Sequence, residues 1–367
     1  MREVLLPLPG RDRSYRILIE SGLRSRLGSL LTSLNLAKRV FLISDRRVAR
    51  LHGEEVQQPL EAAGFEPVLL TTPPGERAKS WPVVQRLARE LLERGAHRGS
   101  PLIALGGGVV GDLTGFLASI FMRGLPFIQV PTTLLAMVDA SIGGKTAINL
   151  KEGKNLLGTF HQPRLVVSDP EFLQTLPRAE FVNGLAEVLK AAFIRDADLL
   201  DRLAAGPARL LRDRAALAEI IYRAAALKAE VVAQDEEEAG LRRILNFGHT
   251  LGHGLEQASS FKLPHGRAVA WGMLAALSLS ERLAGLPPEE AERGRRFIRD
   301  LGLTRRSLPP LDPKAVLAAL SRDKKRQESG VVFVLLRRLG EAVVREDVPM
   351  PMVAEVLETL LGDNCIR

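Results

Sequence analysis

Three of the six histidines in this chain lie close together in the sequence, at His249, His253 and His265. His249 and His253 are four positions apart in a helical pattern, so their side chains are expected on one face of a helix. His265 is expected in a loop before the next helix. Imidazole suits zinc, and a carboxylate can complete a three-ligand catalytic site. Spacing alone makes the three histidines candidate ligands. Glu187 is the candidate carboxylate, because Lys190 lies one turn further along its predicted helix.

A glycine-rich turn follows a strand-like run in the segment Leu102–Asp112. Three consecutive glycines, Gly106–Gly108, let the backbone approach a ligand closely. The amides at the start of the following helix favour an anion such as a pyrophosphate. The spacing differs from the usual dinucleotide pattern G-x-G-x-x-G. The turn therefore predicts a nucleotide site, in which Asp112 either accepts a hydrogen bond from a ligand hydroxyl or only faces the helix dipole.

Polar side chains follow the point where the predicted strand Phe127–Val130 ends. In open α/β sheets, ligands bind outside the carboxyl ends of the strands. Lysines separated by glycines could form a pocket for a phosphate and a carboxylate, and a solvated charge run is the alternative. The glycine density and the neighbouring apolar residues favour the pocket. The polar residues of this stretch are Thr132, Thr133, Asp139, Lys145, Lys151, Lys154 and Asn155.

The composition is that of a soluble globular protein, with 46% apolar and 26% charged residues. The apolar segment Ala270–Leu279 is too short to span a bilayer, and Met1–Gly10 lacks the features of a signal peptide. The single cysteine, Cys365, cannot form an internal disulfide. The net charge of +8 is spread among acidic residues, and aromatic residues are only 5% of the chain. We therefore expect a cytoplasmic protein with no nucleic-acid and no membrane partner.

Strands and helices alternate in the first part of the chain, which predicts a parallel sheet wrapped by helices. After about Asp169, alanine and leucine recur at helical spacing, and only Val331–Leu336 resembles a strand. The sequence thus predicts an α/β domain over residues 1–172 and an all-α, mostly helical domain over 173–367. The predicted strands of the first domain are Arg39–Asp45, Phe65–Thr71, Pro101–Leu105, Phe127–Val130 and Leu165–Ser168.

These segments together resemble the 3-dehydroquinate synthases, members of the sugar-phosphate cyclase family. The resemblance runs from about Thr71 to Leu336. It implies a Rossmann-like N-terminal domain, a helical C-terminal domain, an active site in the cleft between them and a homodimer. Its strongest parts are Gly106–Gly115, Pro131–Thr146, Gly153–Pro163, Asn183–Lys190, Asn246–His253 and Leu263–Gly266.

The resemblance also changes the predicted metal site. In such enzymes zinc is held by one glutamate and two histidines, which match Glu187, His249 and His265 of this chain. Cobalt is an alternative metal. His253 then belongs to the site without binding the metal, and it would assist proton transfer or phosphate departure.

The remaining site residues follow from the same resemblance. NAD would contact Gly107, Gly108, Val109, Asp112, Thr132, Thr133, Lys145 and Lys154, with Glu76 and Lys79 near the adenosine ribose. The catalytic residues would be Lys145, Lys190, Arg242, Asn246 and His253. The substrate would contact Asp139, Asn155, Lys228 and one or both of Lys324 and Lys325, and Arg123 would reach the phosphate site of the neighbouring subunit.

The activity implied belongs to the shikimate pathway of aromatic amino acid biosynthesis. It converts 3-deoxy-D-arabino-heptulosonate 7-phosphate to 3-dehydroquinate and phosphate by transient oxidation, elimination, reduction and aldol cyclisation. Three alternatives remain open at this point. They are a cyclase that makes a valiolone or an inosose, a metal-dependent polyol dehydrogenase, and a non-catalytic protein that binds a nucleotide or polyanion.

Overall fold

The computed structural model describes residues 1–8, 13–305, 308–324 and 331–362, with only the backbone for 321–324. The chain divides into two compact units. The first unit contains Met1–Pro177 together with Leu217–Glu237. The second unit contains Arg178–Ala216 and Glu238–Arg367. The first unit is thus built from two separate stretches of sequence.

Strands lie mainly in the first unit. Within the described residues they are β1 (Arg2–Leu6), β2 (Tyr15–Ile19), β3 (Arg39–Asp45), β4 (Glu66–Thr72), β5 (Leu102–Gly106), β6 (Phe127–Pro131), β7 (Lys145–Leu150), β8 (Gly153–Phe160), β9 (Leu165–Ser168), β10 (Phe333–Arg338) and β11 (Glu341–Arg345).

Helices occur in both units. Within the described residues they are α1 (Leu27–Thr32), α2 (Arg46–Ala62), α3 (Trp81–Glu93), α4 (Gly108–Ile120), α5 (Arg178–Arg195), α6 (Leu199–Leu203), α7 (Pro207–Arg212), α8 (Arg214–Gln234), α9 (His249–Ala258), α10 (His265–Leu283), α11 (Pro288–Asp300), α12 (Pro313–Lys324) and α13 (Met350–Gly362). Short 3₁₀ turns join several of them, and Ala136–Ala140 forms one π-helical turn.

The first unit is organised around a seven-stranded sheet with the order β1-β2-β9-β6-β5-β3-β4. Only β1 and β2 are antiparallel; all the other neighbouring strands are parallel. Every residue of β5, β6 and β9 is buried, as expected for parallel strands covered on both faces. Phe41, Leu102 and Phe127 from the sheet pack with Leu87 of α3 and Leu117 of α4. The five predicted strands and the predicted parallel sheet are therefore confirmed.

The polar stretch after β6 forms a hairpin. β7 and β8 pair antiparallel, with Lys145 opposite Phe160, and β7 packs against α4. The approach is close, since a Cβ on Gly115 would lie 2.3 Å from Cγ2 of Thr146. Within the hairpin, a Cβ on Gly158 would lie 2.6 Å from the carbonyl oxygen of Thr146, so at least this glycine of the lysine-rich stretch serves the pairing of β7 with β8.

The second unit is mostly helical, as predicted, and its central feature is the crossing of α9 over α10. Gly248, just before α9, has a φ of 76°, which favours glycine. A Cβ on Gly272 of α10 would lie 1.9 Å from the carbonyl oxygen of Gly248. The two helices can cross at this distance only because both positions lack a side chain.

Several local predictions for the second unit are wrong. His265 is the first residue of α10 and not part of a loop. The helical spacing of Arg242–Ser259 predicts one helix, whereas the structure has a 3₁₀ turn, Leu241–Asn246, followed by α9 after Gly248. The strand near residue 331 has a hairpin partner, β11, that was not predicted. None of the described helices has the length and apolar character needed to cross a bilayer.

Candidate active site

A carboxylate and two imidazoles meet in the second unit. Glu187 lies in the middle of α5, whereas His249 and His265 are the first residues of α9 and α10. Oε1 of Glu187 is 3.5 Å from Nε2 of His249 and 3.3 Å from Nε2 of His265. One ligand atom of each residue lies within 4.8 Å of the others. The structure therefore brings together the set that the resemblance implies.

Backbone anchors hold these side chains in place. Asn183 lies one turn before Glu187 on α5, and its Oδ1 accepts a hydrogen bond of 2.6 Å from the amide of Gly266. A Cβ on Gly266 would lie 2.0 Å from the carbonyl oxygen of Asn183, so α10 begins in direct contact with α5. Since His265 immediately precedes Gly266, the same contact fixes His265 beside Glu187.

The three groups differ in charge. Burial and the nearby Lys190 ammonium lower the pKa of His249 to about 3. Burial also acts to lower the pKa of His265, but hydrogen bonds to Glu187 and Glu256 outweigh it and raise that pKa to about 10. Burial acts to raise the pKa of Glu187, yet Lys190 and both imidazoles hold it well below its usual range. At neutral pH Glu187 is an anion and His249 a neutral imidazole, the forms that bind a metal, whereas His265 is protonated and a metal would replace its Nε2 proton.

The donor set fits a divalent metal ion. Glu187 is only 2% exposed, and neither of its carboxylate oxygens accepts a hydrogen bond of ordinary geometry. A buried carboxylate costs free energy unless cations compensate it. The Lys190 ammonium contacts Oε2 of Glu187, and a metal ion would satisfy Oε1, which faces the two imidazoles. Two imidazole nitrogens with one carboxylate oxygen form a three-ligand set that leaves coordination positions open.

His253 lies beside this group and is exposed. Its ring centroid is 5.2 Å from that of His249, and its ligand atom groups with those of Glu256 and His265. Among the described residues, it is therefore Glu187 and not His253 that completes the set with His249 and His265. The assignment based on spacing alone differs from this arrangement because Glu187 is distant in sequence.

The glycine turn of the first unit opens α4. The first helical hydrogen bonds run from the amides of Val110 and Gly111 to the carbonyl oxygen of Gly107. The amides of Gly108 and Val109 therefore belong to the open helix end, where anions bind. Cβ atoms on Gly107 and Gly108 would lie 3.0 Å from side-chain atoms of Thr133 and Ala140, respectively. Because Gly107 and Gly108 have no side chain, Thr133 and Ala140 can pack directly against the backbone of the turn.

Lys79 is bonded to two other predicted site residues, Asp112 and Asn155. Lys79 is 3% exposed, and its Nζ lies 2.6 Å from Oδ2 of Asp112 and in very close contact with Oδ1 of Asn155. Burial raises the pKa of Asp112 although Lys79 opposes this. Asn149 joins the network by accepting from the amide of Asn155 and donating to Glu76. Asn155, predicted as a substrate contact, is thus bonded to the predicted nucleotide contacts.

A second lysine–aspartate pair lies in the same unit. Nζ of Lys228, on α8, donates to the carboxylate and to the carbonyl oxygen of Asp139 at 2.6 and 2.7 Å. Asp139 belongs to the π-helical turn that precedes the hairpin, and Lys145, at the start of β7, is exposed. Lys228 thus contacts the π-helical turn that lies shortly before Lys145 in the sequence.

The remaining predicted residues fall in both units. In the second unit, Lys190 contacts the Glu187 carboxylate, Arg242 is fully buried, and Asn246 donates to Glu238 at 2.7 Å. In the first unit, Arg123 has a φ of 70° in the turn that ends α4. For Lys324 only the backbone is described, and Lys325 lies outside the described residues.

Family models match the chain in two consecutive parts. The model for the 3-dehydroquinate synthase N-terminal domain matches residues 69–183, and the model for the C-terminal domain matches residues 184–326. The chain belongs to the 3-dehydroquinate synthase family. Every site residue discussed above lies within these two ranges.

Named relatives agree with this family. The 3-dehydroquinate synthase of Dehalococcoides mccartyi strain CBDB1 is 42% identical over 98% of this chain and all of its own length. That of Nitrosomonas europaea is 43% identical over 98% of both chains. A solved 2-epi-5-epi-valiolone synthase of Streptomyces hygroscopicus, with bound NAD⁺ and Zn²⁺, is 32% identical with a TM-score of 0.87. The match covers 97% of this chain and 99% of that chain.

The sequence analysis does not single out two residues that support the candidate metal site. Asn183 and Glu256 are both buried and contact the metal-binding group through Gly266 and His265. A helical signal was present for each, since Asn183 is four positions before Glu187 and Glu256 is seven positions after His249. Both residues act through a hydrogen bond to a neighbour and not as metal ligands, so residue type and spacing alone do not single them out.

Proposed function

We propose that this chain is a 3-dehydroquinate synthase that converts 3-deoxy-D-arabino-heptulosonate 7-phosphate to 3-dehydroquinate and phosphate. The observation that carries the proposal is the meeting of Glu187, His249 and His265 in a chain that belongs to this family. The relatives that bear this name match it over nearly their whole length. The polyol dehydrogenase and the non-catalytic binding protein are less well supported, because neither accounts for that match.

NAD is the proposed nucleotide. The amides of Gly108 and Val109 at the open end of α4 would bind its pyrophosphate, and Asp112 with Lys79 and Glu76 would contact the adenosine ribose. When bound, NAD supplies reversible hydride transfer, so no net NADH is expected. The residues of the chain would bind and orient NAD. At the start of α4 this binding would come from backbone amides and not from a charged side chain.

Zinc is the proposed metal, and cobalt is expected to substitute because imidazole and carboxylate ligands suit both. Glu187, His249 and His265 would hold it, and the ion would supply Lewis-acid polarisation of substrate hydroxyls. Lys190 contacts the Glu187 carboxylate and would orient it. The exposed His253 imidazole is available to exchange a proton with the leaving phosphate or with water.

The anionic groups of the substrate are assigned to the basic residues. Lys145, Lys228 and Arg242 would offset the charges of the phosphate and the carboxylate, and Asn246 would donate to a substrate oxygen. The Asp139 carboxylate holds the Lys228 ammonium in place before substrate binds. This positioning holds the phosphate near the proton that is lost in the elimination, which lowers the entropic part of the barrier.

A phosphate-release assay tests the proposal. Purified enzyme with NAD and zinc should release phosphate from the heptulosonate phosphate without accumulating NADH, and a strong chelator should stop release. Lys145→Ala should abolish release while the protein still binds NAD. Release from the substrate of a valiolone synthase instead, or a steady accumulation of NADH, would favour one of the rival activities.

We further propose that the enzyme is a cytoplasmic homodimer. Met122 and Arg123 both have positive φ, at 48° and 70°, a conformation that costs free energy for residues other than glycine. The resemblance described in the sequence analysis implies that Arg123 reaches the phosphate site of the partner. Its exposed position in a strained turn after α4 supports that role.

A further inference from the structure

Glu256 is a buried acidic residue next to the metal-binding group and has no part in the ligand set. It lies on α9, is 5% exposed, and its Oε2 is 3.2 Å from Nδ1 of His265. Carboxylates are rarely buried to this extent unless they are paired. Its partner is the imidazole nitrogen that faces away from Glu187, because Nε2 of His265 is the atom 3.3 Å from the Glu187 carboxylate.

His249 shows the same arrangement with a different acceptor. Its Nδ1 lies 3.2 Å from the carbonyl oxygen of Phe247, and its Nε2 lies 3.5 Å from Oε1 of Glu187. A carbonyl oxygen and an ionised carboxylate only accept hydrogen bonds. Nδ1 of both histidines therefore carries a hydrogen, and Nε2 is the atom on the side of Glu187, where a metal would replace any proton on it.

The chain between Glu256 and His265 keeps this geometry fixed. The carbonyl oxygen of Glu256 accepts from the amide of Phe261 at 2.7 Å and from the hydroxyl of Ser259. The same hydroxyl accepts from the amide of Leu263 at 3.2 Å. This closed turn leads directly into α10, so the carboxylate and the imidazole are held at the two ends of one short, hydrogen-bonded segment.

We infer that Glu256 is a positioning residue of the metal site: its carboxylate accepts the Nδ1 hydrogen of His265 and thereby turns Nε2 toward Glu187 and His249. The inference rests on the proposed metal dependence and adds a residue to it. Acceptors of this kind fix the orientation of the histidine ligand and increase its basicity, and their loss weakens metal binding.

Zinc affinity measured against a chromophoric chelator tests the inference without use of the reaction. Glu256→Met has an unbranched side chain of similar length but lacks the carboxylate acceptor. The dissociation constant for zinc should therefore rise about 10–100-fold. Glu256→Gln retains an oxygen acceptor and should show a smaller rise. Glu290→Gln is the matched control, since Glu290 is a carboxylate of the same unit that accepts from the amide of Leu339; its zinc affinity should be unchanged.

The imidazole N–H signals of the zinc-loaded protein give a second measurement. In ¹H–¹⁵N spectra, Glu256→Gln should shift the Nδ1–H signal of His265, because a neutral acceptor replaces an anion. The signal of His249, which donates to a backbone carbonyl, should stay in place and serves as an internal reference. This comparison remains decisive even if Glu256→Met does not fold.

The possible outcomes separate the inference from the proposed function. If the wild-type protein binds one zinc and both Glu256 variants bind it equally well with unshifted His265 signals, the positioning role is wrong and the enzyme assignment stands. Binding of a second zinc that depends on His253 and Glu256 would also overturn it, because Glu256 would then be a ligand. If the wild-type protein binds no zinc, the metal-dependent function itself fails.

Discussion

At the scale of single residues, the candidate site depends on charges that are buried and paired. Lys79 is almost fully buried and is bonded to Asp112 and Asn155. Removing one partner of such a pair leaves the other charge without compensation, which costs more than the pair contributed. The Asp112 side chain retains 19% of its surface, so water offsets part of that cost. The lysine therefore has a structural role in addition to the proposed contact with NAD.

We predict that Lys79→Met destabilises the first unit by about 1–3 kcal/mol, measured by urea unfolding. The double variant Lys79→Met with Asp112→Asn should regain part of this loss, since it removes the uncompensated charge. Lys38→Met, which loses only an exposed contact with the Phe65 ring, should cost less than about 1 kcal/mol. If the Lys79 and Lys38 variants lose equal free energy of unfolding, the buried pair of Lys79 and Asp112 contributes no more to stability than an exposed lysine does.

At the scale of helices and strands, strongly patterned elements were predicted well and irregular ones were not. Apolar runs predict β3, β4, β5, β6 and β9 to within one residue, and the helical spacing of Arg178–Asp196 predicts α5 equally well, because both patterns record burial directly. The sequence analysis does not predict β1 and β2, although β2 is mostly buried. The hairpin β7–β8 is not predicted either, because its lysines and glycines mask the alternation and β8 is mostly exposed. The start of α10 at His265 was missed because Asn183, 82 positions earlier, anchors it.

The candidate site follows the same division. His249 and His253 could be related by helical spacing, whereas the meeting of Glu187 with His249 and His265 required a family resemblance. Local spacing carries no information about contacts between α5 and α10. The contact of α5 with α10 depends on Gly266 and that of α9 with α10 on Gly272, since any side chain at either position would overlap a backbone oxygen.

We predict that Gly272→Ala separates α9 from α10, because its Cβ would lie 1.9 Å from the carbonyl oxygen of Gly248. The expected cost is about 1–3 kcal/mol or more, with weaker zinc binding because His249 and His265 begin these two helices. Gly53→Ala on α2 is the control, since its Cβ would meet only Leu69 at 3.4 Å. That change should stabilise the protein by up to about 1 kcal/mol. Thermal unfolding and zinc titration of both variants measure the contrast.

At the scale of the whole molecule, sequence order and three-dimensional grouping differ. Leu217–Glu237 groups with Met1–Pro177, and it brings Lys228 to Asp139, 89 positions earlier. The helical spacing of α8 predicts a helix but does not predict which unit that helix packs against.

The proposed homodimer adds a further level, because Arg123 would act in the site of the partner. Arg123→Ala and Lys145→Ala should each inactivate their own homodimers. When the two variants are mixed and allowed to exchange subunits, a heterodimer holds one site with an intact Lys145 and an intact Arg123 from the other subunit. Random exchange by a two-fold symmetric dimer should then restore about a quarter of wild-type phosphate release. No recovery after exchange, verified by mass, would mean that Arg123 serves its own subunit, and a monomeric mass in solution would remove the dimer from the proposal.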